Sequence, residues 1–167
     1  MLRERPGGNA HVTPGPVLGI DRPSAFPPSL TCSFDASVHY GPDHATPVSA
    51  AVGFHVEEGT RTRIEGSRRV PNVVSSSALE FRALLAAARA IDERFDAVAS
   101  IHVRGDADAV IESVDPRREA TPTGRIERRR VERIRRLFES IPTVTYRIVD
   151  RHANERAHAL ARAGHGR

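Results

Sequence analysis

Three acidic residues have positions that could do chemistry: Asp35, Glu80 and Asp106. Asp35 interrupts an alternating apolar stretch, a setting that disfavours aspartate. Glu80 follows a run of serines, and Asp106 follows an apolar segment closed by Gly105. Three carboxylates brought within a few ångströms repel one another unless a hard cation neutralises them, and oxygen ligands of that kind select Mg²⁺ or Mn²⁺. Two such ions about 3.5–4 Å apart would activate water and stabilise the leaving oxygen of a phosphodiester. Each residue also has an ordinary reading. Asp35 fits an exposed edge position, Glu80 the third-position partner of a Ser77 helix cap, and Asp106 a helix cap of its own.

The elements that must position these groups are legible as changes of period. Leu30, Cys32, Phe34, Ala36 and Val38 alternate with Thr31, Ser33, Asp35 and Ser37, a strand pattern over 30–40. Residues 48–57 and 60–70 follow as a hairpin about Glu58-Gly59. Ser77-Ala78-Leu79-Glu80 matches a capping box and opens a helix running to Ile91, with Leu84, Ala88 and Ile91 on one stripe. Ala97–Val103 reads as a strand. A short helix from Asp106 to Val114, a helix over 125–140, a strand over 143–149 and a last helix over 154–163 complete the chain. The order β-β-β-α-β-α-α-β-α implies one mixed five-stranded sheet with helices on both faces, an α/β fold. The Pro- and Gly-rich residues 1–29 read as a flexible arm, leaving 30–167 as the single domain.

Charge narrows the class of partner. All 25 basic residues are arginine, against 21 acidic ones, and nine arginines with only three glutamates fall between Arg117 and Arg136. Such density suits phosphate contact, and equally an ordinary solvated helix face. The longest apolar runs are too short to cross a membrane, the start has no apolar signal segment, and one cysteine excludes an internal disulfide. A cytoplasmic protein with no membrane partner is the expectation, and no protein partner is implied.

Over residues 30–164 the sequence resembles the ribonuclease H type 1 family in its short archaeal and bacterial form. Phe34-Asp35-Ala36-Ser37 is similar to the family's opening Asp-Gly-Ser motif, and Ser75-Ser76-Ser77-Ala78-Leu79-Glu80 to the stretch before its first-helix glutamate. Asp106-Ala107-Asp108-Ala109-Val110-Ile111 and Asn154-Glu155-Arg156-Ala157-His158-Ala159-Leu160-Ala161 resemble its third and closing motifs. The resemblance implies a ribonuclease H-like fold and a metal-dependent endonuclease that hydrolyses the RNA strand of RNA–DNA hybrids. It implies Asp35, Glu80 and Asp106 as catalytic metal ligands for two Mg²⁺ or Mn²⁺ ions.

Departures from the pattern qualify that expectation. The family's fourth carboxylate is His158 here, a group that can bind Mn²⁺ or sit beside a metal but brings no negative charge. It stands with Asp35, Glu80 and Asp106 as an expected catalytic and metal-site residue, with a weaker hold on the second ion. His152 is the expected proton shuttle before the last helix, and Asp150 its rival. Asn72, Ser75, Ser76 and Ser77 are expected to donate to the nucleic-acid backbone, and Arg128, Arg129, Arg133 and Arg136 to hold flanking phosphates. The alternatives are a catalytically weak or inactive nucleic-acid-binding module of the same fold, or a related nuclease with another nucleic-acid substrate.

Overall fold

The computed structural model describes residues 25–71, 75–122 and 124–166. The first 24 residues of the expected arm, and Asn72, lie outside the described residues. Five strands, β1 (Ser29–Tyr40), β2 (Pro47–Glu58), β3 (Arg61–Val70), β4 (Ser100–Gly105) and β5 (Thr143–Ile148), form one sheet in the order β3-β2-β1-β4-β5. β1, β2 and β3 run antiparallel, while β1–β4 and β4–β5 are parallel. The helices are α1 (Ser76–Arg94), α2 (Asp108–Val114), α3 (Arg125–Leu137) and α4 (Glu155–Ala163). Among the described residues no helix is long and apolar enough to cross a membrane.

Period-two alternation divides the two faces of the sheet. Leu30, Cys32 and Phe34 of β1 join Ala50, Val52 and Val56 of β2 in one core with Leu79, Leu84, Ala88 and Ile91 of α1. The Cys32 thiol is buried there, and burial pushes it up to about 12, which suits packing rather than reactivity. The odd-numbered positions look the other way, onto α4. Gly53 is the point of closest approach: a Cβ there would lie 2.2 Å from the amide nitrogen of Ala161 and 2.6 Å from the carbonyl carbon of Leu160. Ser67 on β3 adds a hydrogen bond, its hydroxyl donating to the Leu160 carbonyl at 2.6 Å. Beyond α4, His165 bridges the hydroxyls of Ser49 at 2.6 Å and Ser37 at 3.0 Å and stacks on His39.

Several expected boundaries move, each for a local reason. Ser75 rather than Ser77 caps α1, its hydroxyl accepting from the Ala78 amide at 3.1 Å. Ser77 therefore lies inside the helix, and Glu80 is released from the capping box. α1 also runs on to Arg94, past Ile91. β4 begins at Ser100 instead of Ala97, with the Ala99 amide donating to the Pro28 carbonyl at 2.8 Å just ahead of it. Asp106 caps nothing: α2 starts at Asp108 behind Ala107, with no side-chain cap. Two of the three carboxylates thus lose the local roles that would have explained them.

The Gly53 contact leaves no room for a methyl group. Gly53→Ala should lower stability by about 1–3 kcal/mol through overpacking, read as a lower urea midpoint at unchanged slope. An unchanged midpoint would mean that α4 does not press on the sheet.

Candidate functional site

The site begins where β1 outruns its partner. β4 pairs with β1 only from Ser29↔Ser100 to Ser33↔Arg104, whereas β2 stays paired on the other side through Tyr40. From Phe34 onward one flank of β1 has no strand beside it, although its backbone groups still need partners. Two side chains supply them. The Asn154 amide donates to the Phe34 carbonyl at 2.9 Å, and Glu80 Oε1 accepts from the Ala36 amide at 3.3 Å. Asp35 lies between those two positions and is 4% exposed. Asp106 follows the carboxyl end of β4, the edge where α/β sheets place their crevices, and its Oδ1 accepts from Asn154 Nδ2 at 3.1 Å. Gly105, the last residue of β4, leaves room for the Phe34 ring, since a Cβ there would meet it at 2.7 Å. Asp35, Glu80 and Asp106 are thereby gathered round one short stretch of β1.

His158 approaches from α4. Its Nδ1 lies 2.7 Å from Asp35 Oδ2, and Arg151 donates to its Nε2 at 2.8 Å. Because arginine can only donate, Nε2 accepts, and Nδ1 carries the proton given to Asp35. Both ring nitrogens are engaged, and the chain Arg151–His158–Asp35 brings a guanidinium charge towards the carboxylates. Asp150 has a structural task, its Oδ1 accepting from the Ala153 amide at 2.8 Å to hold the 3-10 turn His152–Asn154. His152 is exposed on that turn.

Crowding and burial shift the carboxyl groups. Burial, then repulsion from Asp35 and Asp106, pushes the Glu80 carboxyl up to about 9. Burial also raises Asp35, reinforced by Asp106, while the His158 hydrogen bond pulls the other way. Glu80 Oε2 is enclosed without a hydrogen-bond partner, as is Asn154 Oδ1. An enclosed, unpartnered carboxylate oxygen among like charges, offered by a hard-oxygen donor set, fits a divalent cation in kind. Arrangement is another matter: among the described residues no group of three or more His, Cys, Asp or Glu is disposed to hold a metal ion.

The expected substrate contacts fall on several surfaces. Ser76 and Ser77 are exposed in the first turn of α1, beside the Ser75 cap. Arg129, Arg133 and Arg136 line a cavity that also holds Asp92, Glu132 and Glu139, and Arg128 lies nearer Glu119 and Glu132. Asn154 and Arg151 were not singled out from sequence. A polar side chain 1% exposed at a helix start is a signal only once burial is known, and Arg151 resembles any other arginine.

Fold and site together define a ribonuclease H-like protein. The chain belongs to the reverse transcriptase-like family, whose profile matches residues 34–164. Ribonuclease H1 from the halophilic archaeon Halobacterium salinarum is similar at 27% identity and a TM-score of 0.67, over 81% of this chain and 96% of the other. The N-terminal ribonuclease H domain of rv2228c from Mycobacterium tuberculosis, at 16% identity, shares the fold with a TM-score of 0.70 over 83% of this chain and 94% of that one. LC11-RNase H1, solved with an RNA/DNA hybrid, is 18% identical with a TM-score of 0.64, over 82% and 96% of the two chains. No curated protein sequence matches.

Glu80 ties the site to stability. Its carboxyl is raised from 4.5 to about 9, so between those values the folded state binds more protons than the unfolded chain. This group's contribution is fully present below about pH 4.5 and is lost as pH rises through about 9. Glu80→Gln keeps the shape without the charge and should flatten the fall in stability across that window, in urea titrations at several pH values. An unaltered slope would remove the crowding from the description of the site.

Proposed function

We propose that this chain is a nucleic-acid-binding module of the ribonuclease H fold that engages RNA–DNA hybrid and hydrolyses its RNA strand weakly, with the aid of a divalent cation. The observation that carries this reading is the open flank of β1, where Glu80 and Asn154 satisfy the strand and gather Asp35 and Asp106 around it. Asp35, Glu80 and Asp106 would hold the ion, Mg²⁺ or Mn²⁺, which when bound supplies Lewis acidity and an activated water. Asn154 orients Asp106, and the exposed Ser76 and Ser77 offer donors to a sugar–phosphate backbone. The short type 1 ribonuclease H form is the subfamily this reading assigns, with 30–167 as the domain and 1–29 as an arm.

Weak turnover follows from His158 and Arg151. Where the family resemblance expects a fourth carboxylate, this chain has an imidazole whose proton is given to Asp35 and whose lone pair is taken by arginine. One Asp35 oxygen is therefore already engaged, and the site gains positive rather than negative charge. Hold on a second ion suffers most. A second reading, binding with no turnover, is favoured by the lack of a ready ligand set among the described residues.

Incubating a labelled hybrid beside matched DNA and RNA duplexes, with Mg²⁺ and then Mn²⁺, separates the two. The expected outcome is hybrid binding, slow cleavage of its RNA strand, and none with Asp35→Asn. His158→Asp should raise the rate and the divalent-ion affinity by about 10-fold or more, the scale on which neighbours of metal ligands act. Binding without cleavage, in the wild type and in His158→Asp alike, would establish the second reading. A chain that ignores the hybrid sinks both.

A further inference from the structure

The arginines of this chain are not all placed alike. Some have an acid beside them: Arg63 with Glu58, Arg104 with Glu57, Arg118 with Glu112 and Asp115, Arg156 with Glu65. Five others are gathered together. Arg68 and Arg69 at the end of β3, Arg82 and Arg89 on α1, and Arg130 on α3 converge on one cavity of about 470 Å³, walled otherwise by Val70, Pro71, Leu85 and Ala86. No carboxylate lines it, and none of the five forms a salt bridge among the described residues.

This crowding is built in by the fold. Arg82 and Arg89 are seven residues apart, two turns of α1, and so stack on one side of the helix, turned away from the side that carries Glu80. Arg130 is anchored by donating to the Ala78 carbonyl at 2.6 Å, which fixes its guanidinium against α1. Burial and the neighbouring Arg82 lower Arg130 below the usual arginine range, with Glu127 on the same helix the one opposing charge. Like charges held together by packing, with no acid in the cavity walls, are stabilised by an anion from solution. Arginine's planar fork matches phosphate oxygens in pairs, and the apolar floor suits the sugar edge of a backbone better than a small, fully hydrated ion.

We propose that this groove binds the backbone phosphates of a nucleic-acid strand, at a contact separate from the carboxylates. Arg68 is level with Val52 on β2, and Val52 with Ala36 on β1, so the groove starts two strand spacings from Asp35's neighbour, about 10 Å across the sheet. The choice of hybrid as the polyanion rests on the function proposed above; the phosphate contact itself does not.

The test is anisotropy of labelled RNA–DNA hybrid, duplex DNA and single-stranded RNA without divalent metal, across a salt series from about 50 to about 200 mM. Arg82→Gln/Arg89→Gln should reduce the slope of log affinity against log salt by about 2, since each lost phosphate contact removes about 0.9 on a duplex. Arg82→Lys/Arg89→Lys should recover most of that slope. An equal-charge control, Arg125→Gln/Arg162→Gln, should leave it near the wild-type value. Loss of slope in the groove variant alone supports the groove whichever strand type binds; if only duplex DNA or single-stranded RNA binds, the groove stands and the hybrid reading fails. Equal slopes in the groove variant and the control overturn the proposal. So does a chain that binds none of the three strands, even if inorganic tripolyphosphate raises its melting temperature through Arg82 and Arg89, because the groove would then be a small-anion site.

Discussion

A parallel strand that stops early leaves its neighbour with unpaired backbone, and that shortfall organises this molecule. Past Ser33 the flank of β1 facing β4 has no ladder, while the opposite flank remains stitched to β2. A buried carbonyl or amide without a partner costs about 1–3 kcal/mol, so a side chain that fills the gap is held firmly in place. Glu80 and Asn154 fill it, from helices on opposite faces of the sheet. Their geometry is set by a backbone need, and the gathering of acids at Asp35 follows from it. The same flank that demands hydrogen bonds is thus the one that concentrates negative charge.

Concentrated charge then has to be managed. Without a cation the arrangement does so in two ways. Glu80 keeps its proton, because burial and two neighbouring acids favour the neutral form. Asp35 is supported by His158, itself backed by Arg151. The second device has a chemical consequence that the first lacks. The His158 contact occupies an Asp35 oxygen and places a guanidinium behind it. The arginine–histidine pair stands beside the carboxylates and adds positive rather than negative charge there.

The fold was readable because burial leaves a periodic trace. Alternation in Leu30–Val38 and in Ala50–Val56 marks both the strands and the faces they present, and the observed core uses those positions. What failed was the assignment of polar residues at helix starts, where several candidates satisfy the same local rule. Ser75, Ser76 and Ser77 are equivalent as caps by type, and the extended backbone of Ser75 is what sets it apart. Asp106 looked like a cap because it follows a strand and precedes a helix, yet its partner is Asn154, 48 residues away. Local rules cannot see a contact of that range. Arg151 was illegible for a related reason, since the imidazole it meets is assigned to it by the packing of α4.

That packing explains why residues so far apart in sequence act on one strand. Gly53 lets the backbone of α4 come within contact distance of β2, closer than any side chain would permit. His158 lies three residues before Ala161 on the same helix, and Asn154 is in the turn that enters it, so the close approach at Ala161 brings both within reach of β1. Ser67 and His165 hold the helix and its following turn to the sheet at two further points. The site is therefore the meeting of an unpaired strand flank with a helix seated unusually deep. α1 works in the opposite sense: it commits Glu80 to the sheet, and seven-residue spacing then turns Arg82 and Arg89 together to the outer side. One helix thus commits its buried acid to the sheet on one side and holds the arginine pair on the other, which is why residues so near in sequence serve separate surroundings.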